Sequence, residues 1–67
     1  MTFNLDDLVI FNPTSYDMPA DIEAEGKICK IVNIFHAGNS DLAVYELEYE
    51  NLLVYAEPDE LETIYTL

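Results

Sequence analysis

The chain has no tryptophan, no arginine, one histidine, one cysteine and two glycines, and its only residues cationic at neutral pH are two lysines. Each shortage excludes something. A lone cysteine, Cys29, rules out an internal disulfide and fits a reducing compartment. Two lysines cannot neutralise a run of phosphates, so no direct binding of nucleic acid is expected. No apolar run approaches the roughly 18 residues of a membrane span. The opening MTFNLDD also lacks the basic and apolar regions of a secretion signal. A cytoplasmic protein with no membrane attachment is the expectation.

Acid is what the chain has in excess. Fourteen Asp and Glu against the two lysines give a formal net charge of −12. With 51% hydrophobic residues, though, this is no disordered acidic tail, because burying that surface offsets the entropy of ordering. Its 67 residues are expected to form one domain, 1–67, near the lower size limit for a core without staples. Self-repulsion at this density costs stability. Either the charge serves solubility alone, or it is a working surface aimed at a basic partner.

The stretch Ala43–Ala56 organises the rest. Folded at Glu50-Asn51, it pairs Tyr49 with Leu52, Leu47 with Val54 and Tyr45 with Ala56 on a wholly apolar face. Glu48 then meets Leu53, and Glu46 meets Tyr55, on a mixed one. A slip of one residue would scramble both faces, so the register is well specified. Upstream, Leu5–Phe11 reads as a first strand with Val9 and Phe11 inward. Asn12–Glu25 reads as a long loop, with Tyr16 and Met18 at its centre either capping the core or forming a contact tip. Gly26 opens a long strand, Lys27–Phe35. It is apolar on both faces, with Cys29, Ile31 and Phe35 on one and Ile28, Val32 and Ile34 on the other. Ala37–Ser40 reads as a turn, Pro58–Leu61 as a helical turn with proline at its start, and Glu62–Leu67 as a last strand.

This order predicts an all-β, five-stranded antiparallel barrel with a long first loop and one short helical turn before the last strand. The chain resembles SH3-like barrels of the bacterial type, including KOW-like modules and the variable subunit of ferredoxin–thioredoxin reductase. The likeness is carried by Asp7-Leu8-Val9, by Gly26-Lys27-Ile28 with Ile31, by Val44-Tyr45-Glu46-Leu47, and by Asp59-Glu60-Leu61-Glu62-Thr63-Ile64. It implies a binding module and makes Leu61 a core plug. Nucleic-acid-binding KOW modules are basic and aromatic, whereas this surface is acidic, so no substrate follows from the likeness.

The chain offers little for catalysis. Cys29 lies mid-strand among Ile28, Ile31 and Val32, a setting for a core residue, and His36 reads as a solvated strand end. One His and one Cys do not make the usual zinc set. Asp17, Asp21, Glu23 and Glu25 lack EF-hand spacing. No enzyme activity, metal or cofactor is expected. What remains is surface. Glu46 and Glu48 stand about 6.8 Å apart along one strand, comparable to the gap between neighbouring phosphates, with Leu53 and Tyr55 opposite as anchors. The candidate partner contacts are Tyr16, Asp17, Met18, Asp21, Glu46, Glu48, Glu50, Leu53 and Tyr55. The expected function is an acidic protein-binding module, such as a phage or mobile-element inhibitor that occupies a basic, nucleic-acid-binding groove by charge mimicry. The alternative is an assembly subunit that dimerises or joins a complex through Leu8, Ile10, Leu53 and Tyr55.

Overall fold

The computed structural model describes residues 3–36 and 43–64. Five antiparallel strands form one sheet: β1 (Leu8–Phe11), β2 (Ile28–His36), β3 (Ala43–Tyr49), β4 (Leu52–Ala56) and β5 (Leu61–Thr63), in the order β4-β3-β2-β1-β5. The outer strands β4 and β5 are not paired with each other among the described residues, so the sheet is open where a barrel was expected to close. The expected turn at 37–40 and the end of the last strand at 65–67 lie outside the described residues.

The β3–β4 hairpin has the register read from its sequence, from Tyr45 opposite Ala56 to Tyr49 opposite Leu52. Glu50 and Asn51 both take positive φ, +46° and +70°. A tight turn that follows the right-handed twist of two strands needs that conformation at both positions. Tyr45, Leu47, Val54 and Ala56 are buried in one cluster with Phe3, Val9, Phe11, Cys29, Ile31 and Leu61. The rings of Phe3 and Tyr45 meet edge to face at 5.6 Å. Leu61 does plug the core, but from the first position of β5, after a 3-10 turn at Pro58–Glu60.

Three sequence expectations give way. The first strand begins at Leu8, because Asn4–Asp7 make a turn. There the Asn4 N–H donates to Asp7 Oδ2 at 2.8 Å, and Asp6 takes φ +71°. The long strand is not buried on both sides. Ile28 is 56% exposed, and the β2–β3 register steps between Ile31 and Asn33, leaving Val32 as the extra residue. A bulge of one residue reverses the faces beyond it. Ile34 therefore packs against the core opposite Tyr45, while Phe35, expected inward, turns out beside Val44.

The third correction is a helix, α1 (Pro19–Ala24), inside the segment expected to be irregular. Pro19 presets the first helical φ, and Ala24 is fully buried with Ala20 packed beside it. The segment's ends are clamped, since the Gly26 N–H donates to the Phe11 carbonyl at 2.7 Å and the Phe11 N–H to the Lys27 carbonyl at 3.2 Å. Tyr16 and Met18 are exposed, so the alanines, not they, close this end of the core.

The hairpin turn yields a test. A glutamate held at positive φ costs about 1 kcal/mol that asparagine largely avoids. Glu50→Asn should therefore raise the thermal midpoint by about 4–8 °C over Glu50→Gln, which removes the same charge. Equal midpoints for the two variants would show that the turn holds no such strain.

Candidate functional site: an acidic cleft beside the hairpin

Two short segments obey one local rule. In Met18-Pro19-Ala20-Asp21 and in Glu57-Pro58-Asp59-Glu60, proline opens a helical turn and an acid two residues later folds back on the turn's first N–H. Asp21 Oδ2 accepts from the Met18 N–H at 3.0 Å, and Glu60 Oε1 from the Glu57 N–H at 2.9 Å. This is the returning half of a capping box, which satisfies an N–H that the helix leaves orphaned.

Each acid also reaches the loop at 14–17. Asp21 Oδ2 accepts from the Asp17 N–H at 2.8 Å. Glu60 Oε2 accepts from the Thr14 N–H at 2.8 Å and from the Thr14 hydroxyl at 3.3 Å. The loop is thereby held from both ends. A cleft of about 250 Å³ opens beside it. Phe11 and Ala56, both buried, lie at its base. Asp17 and Asp21 line it on the loop and α1 side, and Tyr55, Glu57 and Glu60 on the side where β4 runs into the 3-10 turn. No basic side chain lines it.

The outward face of the hairpin meets this cleft at Tyr55. Its hydroxyl donates to Glu46 Oε2 at 2.7 Å, which fixes the ring on the sheet. That bond to the carboxylate, and then the carboxylate's charge, raise the phenol pKa above its ordinary 10.0. Tyr16 is raised in the same way by its hydrogen bond to Glu25, which tethers the loop tip across α1. Tyr49 is raised chiefly by desolvation, then by the charge of Glu50.

The sequence-derived candidates fall into two groups. Asp17, Asp21 and Tyr55 share the cleft, with Tyr16 and Met18 exposed on the neighbouring loop. Glu46, Glu48 and Leu53 share the outward sheet face with Tyr55, Glu48 lying between Leu53 and Lys30 across the strands. Glu50 stands apart at the far turn. Sequence reasoning gives Glu60 only within the stretch that carries the SH3-like resemblance, and it passes over Glu57, Thr14 and Phe11 as site residues. The repeated Pro-x-acid pattern is the signal that could have found the two clamping carboxylates.

Cys29 is 1% exposed, and burial pushes its thiol pKa up, which suits a core residue and not a nucleophile. His36 is exposed at the other end of β2. Glu57, Asp59 and Glu60 bring carboxylate oxygens within 4.8 Å of one another, but both Glu60 oxygens already accept hydrogen bonds. Among the described residues, no helix is long and apolar enough to cross a membrane. Compared with known proteins, the chain matches no family model, no curated protein and no solved structure.

Glu46→Gln should bring the Tyr55 ionisation down toward its ordinary value in an ultraviolet absorbance titration, with Tyr55→Phe identifying the signal. The folded phenol holds its proton more tightly than the unfolded one. Its stabilising contribution is therefore intact below pH about 10 and is lost as pH rises through the higher folded value. A Tyr55 titration unmoved by Glu46→Gln would show that the bond does not persist in solution.

Proposed function

We propose that this chain is a non-enzymatic protein-binding module on an SH3-like barrel plan, whose negative surface engages a basic, nucleic-acid-binding groove of a partner protein. The observation that carries this reading is uncompensated charge. The net charge is −12, and the one ion pair among the described residues joins Lys30 to Asp6 at 3.5 Å on the surface. A pair that exposed contributes little, so almost all of the negative charge is left for solvent or for a partner. Such a field steers association with a positive groove, while apolar contacts supply the short-range affinity. Leu53 and Tyr55, 43% and 48% exposed beside Glu46 and Glu48, are the anchors. The strand order, with the first strand between the second and the last, supports the SH3-like plan. An inhibitor carried by a phage or mobile element, acting on a nucleic-acid enzyme, is the biological setting this chemistry suits.

The immobilised protein should retain basic nucleic-acid-binding proteins from a bacterial lysate at low salt. It should release them steeply as salt rises, and lose them to competing DNA or RNA. Retention indifferent to salt, or capture that persists with nucleic acid still bound to the captured protein's groove, would count against the proposal.

One arrangement favours a second reading. Ile10 pairs with Ile28 and Leu8 with Lys30, which places Leu8, Ile10 and Ile28 together on the outward face of β1 and β2; Leu8 and Ile28 are each 56% exposed. An assembly subunit would use such a patch. Self-association that strengthens as salt screens the charge is its expected signature in sedimentation. A monomer at both low and high salt would exclude self-assembly through this face.

A further inference from the structure

We infer that the acidic cleft is a socket for a single arginine side chain of the partner protein. This rests on the protein-binding reading above and assigns the docking residue its place. Size is the first argument. At about 250 Å³ the cleft lies below the roughly 300–1,000 Å³ typical of drug-sized ligand sites, which leaves room for one long side chain and not for a folded substrate.

Chemistry is the second. Asp21 is only 7% exposed, and its hydrogen bonds, from the Asp17 and Met18 amides, both go to Oδ2. Oδ1 has no partner among the described residues. No side-chain oxygen or nitrogen there is both buried and unpaired, so Oδ1 keeps some exposure, and Asp21 is one of the residues that line the cleft. The backbone amides already hold this nearly buried carboxylate through Oδ2, and its second oxygen is free to accept one more charged donor from outside.

The choice of arginine follows from the walls. Asp17 and Glu57 line the cleft together with Asp21, and Tyr55 adds a ring already fixed by Glu46. A planar guanidinium can direct its five donors to several carboxylates at once and stack on an aromatic face. It is also shed of water more readily than an ammonium. Backbone N–H groups hold Asp21 and Glu60 in place beforehand, so little ordering is left to be done on binding.

The test is an amide NMR titration of the whole protein with a blocked tripeptide carrying a central arginine, its lysine counterpart, and calcium chloride alone. Shifts should concentrate at residues 14–21 and 55–60, with arginine binding at least about threefold tighter than lysine. The Asp17 carboxylate accepts from the Ser15 hydroxyl, and Glu57→Gln keeps a side-chain acceptor at the start of its turn, so Asp17→Asn and Glu57→Gln should leave the spectrum folded while weakening binding about three- to tenfold. Glu48→Gln removes the same charge outside the cleft and should weaken it far less. Asp21→Asn should abolish the arginine preference, its fold checked by the unchanged shifts of the β3–β4 hairpin.

Shifts spread over Glu46, Glu48 and Leu53, with Glu48→Gln as costly as Asp17→Asn, would overturn the socket and leave the basic-partner reading standing. Calcium binding at the same amides that displaces the peptide would overturn it in favour of a metal site. No shift with either peptide at low salt would count against both readings.

Discussion

The interior depends on a turn at Glu50-Asn51 that lets β3 and β4 face each other in one register. Given that register, Tyr45, Leu47, Val54 and Ala56 all lie on one side, and a slip of a single residue would put all four in water. The neighbouring strand fits the same face only because its bulge at Val32 turns Ile34 inward and Asn33 outward. The bulge and the turn are therefore complementary devices. One sets the alternation of the hairpin, and the other brings β2 into step with it.

Charge is the opposing constraint. A net −12 on so small a body pushes its parts away from one another, and one exposed ion pair among the described residues does little to relieve it. The fold employs two of its acids locally instead. Asp21 and Glu60 each close a proline-led turn on their own backbone and then reach across to the loop at 14–17. An anion that accepts backbone N–H groups is stabilised without any cation. These two acids thereby tie down the loop at 14–17 through its own N–H groups. The cleft is a by-product of the same clamp, and its negative lining is what gives the loop a functional reading beyond shape.

The plug at Leu61 is what the SH3-like resemblance implies, whereas the hairpin register and the inward set of Val9 and Phe11 are legible in the chain itself. Each rests on period-two alternation or on a neighbour a few residues away, and such short-range information survives in a linear string. The excess of acid, the absence of arginine and the isolation of the one cysteine are equally plain, and composition of that kind narrows the functional classes without reference to any contact in space.

Other features are settled only by tertiary contact. A six-residue helix is under two turns long, too short to impose a period. It exists because Ala20 and Ala24 find the core and Asp21 finds Asp17 and Met18. A bulge leaves no mark on β2 until β3 is laid beside it. The cleft joins Asp17 and Asp21 to Tyr55, Glu57 and Glu60, residues far apart along the chain, so nothing local announces it. The sequence by itself determined which residues seek the interior and how much negative charge remains outside. Only the folded chain decided where that charge converges, because convergence is a property of distances through space, and spacing along the chain does not encode them.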